Sequence, residues 1–242
     1  PTFVGNSMET FARTEWEWLE TNTTATEAIQ QAFLDGRVTR SNFGIGLEAL
    51  LDPETLAELD EHGRRRAEIY FFVEGTRRLR QTLVSTLHPE GVAVRGDEGW
   101  LKRFPEAGPA INYQQDLPIF YRQCPINLNI TSLQMPSTVN QRVFDCPAAG
   151  GFLITDAQPA LHDLFDADQE VIYYHSYEEC LELVRFFRHH PDVRREMTAR
   201  AARRVFSEHT YSHRLRKIVA LLHSRFGGRP EYSEAALFGR TD

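Results

Sequence analysis

What this chain lacks narrows its function before any motif is read. No apolar run is long enough to span a bilayer, and no signal-peptide pattern opens the sequence, so a cytoplasmic protein without a transmembrane segment is expected. Cysteine is scarce: Cys124, Cys146 and Cys180 are odd in number and show no CxxC spacing, so they read as buried thiols of a reducing compartment. Positive charge is in deficit, 27 Lys and Arg against 34 Asp and Glu for a net charge of -7, which argues against a nucleic-acid partner. The arginine-rich stretches Arg64–Arg66, Arg77–Arg80 and Arg185–Lys217 read as solvated helix faces, with an anionic partner or membrane surface as the other reading. No GxGxxG follows the first strand, which disfavours a dinucleotide-dependent oxidoreductase, and no P-loop or Ser-His-Asp constellation stands out. His189-His190 and the His209/His213 pair lack the HExxH context or cysteine cluster of a metal site, so neither a metal nor any other cofactor is expected.

What is present is an alternation of strand and helix. Thr2–Val4 reads as a strand that ends in Gly5-Asn6-Ser7. Residues 8–87 read as a helical insertion of about four helices, with Trp16, Trp18, Leu19, Ile29, Phe33 and Phe71-Phe72 as its core and Pro53 opening its last long run. Further strands are expected at Gly91–Arg95, Pro109–Tyr113, Ile126–Ile130, Phe152–Thr155 and Glu170–Tyr174, with a short helix at Leu117–Cys124 opened by Pro118. Tyr177 to Phe226 reads as a helical tail cut by Pro191 and by the polar break at His209–Ser212. Residues 227–242 show no period and read as extended or disordered. This order predicts one α/β domain over 1–226, a Rossmann-like parallel sheet.

The richest stretch runs from Ile126 to Asp156. It reads as a strand, a polar loop, a helix opened by a Thr138–Gln141 capping box, a Gly150-Gly151 turn and a second strand. In an open parallel sheet the crevice at the strands' carboxyl ends is where ligands bind. Gln141 and Arg142 are expected in the helix's first turn, and an arginine there offers a planar fork to phosphate oxygens. Asp145, three residues on, shares its face. Its carboxylate can accept two hydroxyl hydrogens or pair with Arg142. Gly5 lets the backbone approach a diphosphate, and Asn6 and Ser7 lead into a helix start; a plain tight turn is the other reading. Gly96-Asp97-Glu98-Gly99 reads as a turn, and Trp100 after it as core rather than a base-stacking ring.

The segments LPIFYRQCPINLNIT, QRVFDCPAAGGFLITD, LFDADQEVIYY and ARRVFSEHTYSHRL, with FVGNS and GDEGW ahead of them, resemble in their order the C-terminal domain of GT-B glycosyltransferases, specifically the CgeB-like and group 1 transferases. The resemblance is strongest over Leu117–Ile218. It implies a nucleotide-sugar-binding domain of a hexosyltransferase-type enzyme with a UDP- or GDP-type donor and an unknown acceptor. It also implies an N-terminal acceptor domain outside this chain, in keeping with a sequence that begins at Pro1 without Met. By the same resemblance Gly96 and Asp97 face the nucleotide, Asn112-Tyr113-Gln114 lies where the base is held, with Tyr113 a stacking candidate, and Asp145 binds the ribose. The second acidic position of the wider pattern has no clear counterpart here. A non-catalytic binding or assembly module that keeps the fold without the chemistry is the alternative.

Overall fold

The computed structural model describes residues 1–226. Six strands form a single parallel sheet: β1 (Thr2–Val4), β2 (Ala93–Gly96), β3 (Gly108–Pro109), β4 (Asn127–Leu128), β5 (Leu153–Asp156) and β6 (Ile172–Tyr174), in the spatial order β3-β2-β1-β4-β5-β6. Successive residues of β1 pair with Ala93, Val94 and Arg95 on one side, while Thr2 and Phe3 pair with Asn127 and Leu128 on the other. The chain therefore winds outward in both directions from β1, and the order reverses between β1 and β4. This is the Rossmann-like α/β fold expected from the sequence, with its topological switch point at the carboxyl ends of those two strands.

Alternating side chains carry the two faces of the sheet. Phe3, Val94, Leu128, Ile154 and Ile172 share a core with Leu83, Val84 and Leu87 of α5 (Glu61–Leu87) and with Cys180, Val184 and Phe187 of α9 (Tyr177–Arg188). Leu153 and Tyr173 point the other way. They pack with Leu117 and Tyr121 of α6 (Leu117–Gln123), Val143 and Cys146 of α7 (Arg142–Ala148) and Ala201 and Val205 of α10 (Pro191–Glu208). Between α7 and β5, Gly150 adopts φ +83, a conformation that glycine takes at little cost.

The 8–87 insertion consists of α1 (Glu9–Asn22), α2 (Thr26–Leu34), α3 (Arg40–Ile45), α4 (Pro53–Glu58) and α5, five helices where about four are expected. They build a second core around Leu19, Ile29, Leu50 and Phe71. The 27 residues of α5 run through both cores, its first half in the helical lobe and its last three turns against the sheet. A single turn, α8 (Leu161–Leu164), precedes β6, and after β6 the tail forms α9, α10 and α11 (Tyr211–Phe226), divided at Pro191 and at the 209–210 break as the sequence indicates. The expectation for residues 227–242 lies outside the described residues.

Three local expectations are corrected. The strand at Pro109–Tyr113 is reduced to Gly108–Pro109, because Asn112 turns the chain by accepting from the N–H groups of Gln114 and Gln115 through its side chain. The Thr138–Gln141 capping box does not form: α7 begins at Arg142, and its flanking Gln141 makes no side-chain cap. Arg77–Arg80 is not a solvated face. Arg77 and Arg78 both bind the buried Glu74 carboxylate, at 2.6 and 2.7 Å, and Arg80 is buried outright. Of the thiols, Cys146 and Cys180 are buried and Cys124 only partly; all three are free.

Candidate functional site

Because all six strands are parallel, the segments that follow them emerge at one edge. After β1 the chain passes through Gly5, Asn6 and Ser7 into α1. Gly5 is built into the core: its carbonyl accepts from the Trp100 indole at 2.7 Å, and its N–H donates to the Arg95 carbonyl at 2.9 Å. Trp100 is 1% exposed and meets Phe3 edge-on at 5.7 Å, so it is core, as read from the sequence. Gly96 lies directly against this turn. A Cβ there would fall 2.2 Å from the Gly5 carbonyl oxygen, so only glycine permits the approach.

Asp97 does not stand free at the crevice. One oxygen accepts from the Ser7 N–H at 2.5 Å and the other from the Ser7 hydroxyl at 2.7 Å. Ser7 Oγ in turn accepts from the Glu9 N–H at 3.1 Å, which satisfies one open donor of the α1 N-terminus. Asn6 is exposed and accepts from the Met8 N–H at 2.6 Å through its side chain, holding Met8 at φ 66. A non-glycine residue in that left-handed region is strained, and such strain concentrates at functional sites.

On the other side of the switch point, the segment after β4 is anchored by a buried polar network. The Asp156 carboxylate accepts from the Thr131 N–H at 2.7 Å and from Gln158 at 2.8 Å, and it pairs with Arg40 of α3 at 2.8 Å. Asn129 joins the network by donating to Thr155 at 2.9 Å and accepting from Asn140 at 3.0 Å. Asn140 Oδ1 accepts from the Arg142 N–H at 3.1 Å and so fixes where α7 begins. The Arg142 guanidinium reaches back across the switch point, with Nη2 3.6 Å from the position a Gly5 Cβ would occupy. It makes no ion pair among the described residues.

Asp145 does not pair with Arg142. Its Oδ2 accepts from the Tyr113 hydroxyl, and its other oxygen is left for another donor. Partial burial, and then this hydrogen bond, push the Tyr113 phenol up to about 12, so it stays protonated and donating. Tyr113 itself is half exposed. Gln141 and Asp145 also border a groove of about 350 Å³ between α7 and the α10–α11 junction, walled by Phe144, His209, Tyr211 and Arg214. His209 is structural here, its Nε2 bonded to the Leu164 carbonyl at 2.8 Å and its ring against Phe144 and Phe165. Among the described residues no group of three or more His, Cys, Asp or Glu is disposed to hold a metal ion.

The fold therefore brings Gly5–Ser7, Gly96-Asp97 and Arg142 together at the switch point, with Asp145 and Tyr113 one helical turn away and Gln141 on the outer flank. A model of the glycosyl transferase-like family matches residues 64–220, well over half of the chain. The chain belongs to that family. The match begins within α5 and ends within α11, so it takes in β2 to β6 together with Asp97, Tyr113, Arg142 and Asp145; β1 and Gly5–Ser7 lie before it. No curated protein and no solved structure matches the chain. Membership supports a glycosyltransferase-type function with a sugar donor. No described helix is long and apolar enough to cross a membrane.

Sequence reading missed Arg80. Its side chain is 6% exposed; Nη1 donates to the Asn6 carbonyl at 2.6 Å and Nη2 to the Ser132 hydroxyl at 3.2 Å. The signal was there: Leu83, Val84 and Leu87 follow Arg80 at spacings of three, four and seven, so it lies on the apolar stripe of α5 rather than on the face that carries Arg77 and Arg78.

Proposed function

We propose that this chain is the nucleotide-sugar-binding domain of a GT-B glycosyltransferase of the CgeB-like type, with a UDP- or GDP-type donor held at the switch point between β1 and β4. The observation that carries the reading is Arg142, a guanidinium without an ion pair among the described residues that stands over the Gly5 turn, with the partly open carboxylate of Asp145 one turn along α7. A cation for a diphosphate and, a turn away, an acceptor for ribose hydroxyls match the two ends of a nucleoside diphosphate.

In this reading the acceptor's oxygen bonds to the sugar's anomeric carbon as the bond from that carbon to the diphosphate oxygen breaks, and the electron pair of the broken bond leaves with the diphosphate. Arg142 stabilises the charge that develops there, a contribution that counts most in a partly dehydrated crevice. Gly5 keeps the approach open. Asp97 acts through Ser7 by fixing the turn rather than touching the nucleotide. Tyr113 orients Asp145 and offers a ring face to the base, and Gln141 borders the same end of the site. The acceptor and the base that deprotonates it belong to a second domain.

Calorimetric titration of UDP, GDP and their sugars into the chain, with Asp145→Ala as control, tests this. Binding that weakens in the control supports the donor site. If no nucleotide binds at millimolar concentration, the reading fails.

A further inference from the structure

The residues assigned so far leave out the most deeply buried cation of the crevice. Arg80 reaches the switch point from α5, the helix that leads back into β2. Its hydrogen-bond acceptors, the Asn6 carbonyl and the Ser132 hydroxyl, are both neutral, and its buried Nε has no partner. No carboxylate pairs with it among the described residues. Buried charges are ordinarily paired, because leaving water unpaired is costly. The charge of Asp97 favours the charged form of Arg80, but both Asp97 oxygens are engaged by Ser7. Burial first, and then the positive charge of Arg142, lower Arg80 to about 10, so it is still charged at neutral pH but less comfortably than in water. A strap joining α5 to two loops would explain the two hydrogen bonds. It would not explain a buried guanidinium that feels the charge of Arg142 and has no carboxylate paired to it among the described residues.

We propose that Arg80, Arg142 and the Ser132 hydroxyl form a seat for a diphosphate group, built half from the α5 crossover and half from the segment that follows β4. The seat rests on the donor reading for its natural ligand, and it deepens that reading in one respect: the diphosphate is recognised as an anion in its own right, without the nucleoside. The two guanidinium groups repel each other, and a bound diphosphate would give both a partner. The site is therefore held below its best stability until the ligand arrives, a trade common at functional sites.

Inorganic pyrophosphate, inorganic phosphate, UDP and GDP are titrated calorimetrically into the wild-type chain and into Arg80→Met, Arg80→Lys and Ser132→Ala, and each ligand-free melting temperature is recorded. Pyrophosphate should bind the wild type more tightly than phosphate does. Arg80→Met should lose about tenfold to a hundredfold in affinity for pyrophosphate, UDP and GDP alike, as expected for a charge-assisted hydrogen bond. Arg80→Lys should recover part of the loss, since it keeps the charge without the fork. The ligand-free Arg80→Met protein should melt no lower than the wild type. If UDP or GDP binds but pyrophosphate does not, or if Arg80→Met and Arg80→Lys bind like the wild type, the seat is wrong and the donor reading stands. If pyrophosphate binds through Arg80 while UDP and GDP bind no better than phosphate, the seat stands and the donor reading falls. If Arg80→Met does not fold, Arg80→Lys and Ser132→Ala decide, and unchanged pyrophosphate affinity in both overturns the seat.

Discussion

Asp97 and Asp145 are both acidic residues at the sheet's carboxyl edge, yet their surroundings give them different work. Asp97 spends both oxygens on Ser7, whereas Asp145 gives one to Tyr113 and keeps one open. Substitution should separate them. Asp97→Ala leaves the buried Ser7 donors unpaired and should cost about 1–3 kcal/mol of stability, read as a lower urea midpoint. Asp145→Asn should leave the fold intact, weaken UDP or GDP about tenfold or more and leave pyrophosphate affinity unchanged, because the proposed role of Asp145 is confined to the ribose. Equal losses for nucleotide and pyrophosphate would place Asp145 at the phosphates instead. At this scale the sequence singles out Arg142 and Asp145 as candidates from their own chemistry and spacing alone. It hid Asp97's partner, because Ser7 is ninety positions away and no spacing rule joins them.

Elements were legible where their signal is periodic. The strand at Thr2–Val4, the three-helix tail and the core role of Trp100 follow from hydrophobic pattern and breakers. The misreadings come from competing local bonds. Asn112 captured the chain that would have extended β3, and Asn140, tied to Asn129, set the start of α7 in place of a Thr138 cap. Arg80 shows the opposite failure, a charged residue read by its neighbours' charge instead of by its place on an apolar stripe. The tightest element-scale contact is Gly96 against the Gly5 turn. Gly96→Ala must push the Gly5 carbonyl away and with it the Trp100 hydrogen bond, so the melting temperature should fall and the Trp100 fluorescence should change. An unchanged melt would mean that the β1 turn yields to a Cβ at little cost.

At the scale of the whole molecule, two cores share one helix. Phe71 is fully buried among the insertion helices, and Leu83, Val84 and Leu87 are fully buried against the sheet, all on α5. Unfolding should therefore be a single transition, with far-UV circular dichroism and tryptophan fluorescence coinciding, since Trp16 and Trp18 report the helical lobe and Trp100 the sheet. Phe71→Ala should cost about 3–5 kcal/mol without splitting the transition. The same continuity gives the insertion a place in function. Through Arg80 and Arg40, α5 and α3 reach the two segments that flank the switch point, so the helical lobe supports the candidate site. A structure of the chain crystallised with UDP or GDP tests that arrangement most directly. The diphosphate should lie between Arg80 and Arg142 at the carboxyl ends of β1 and β4, with the ribose on Asp145; a nucleotide seated elsewhere, with neither arginine on a phosphate, would overturn the proposed site.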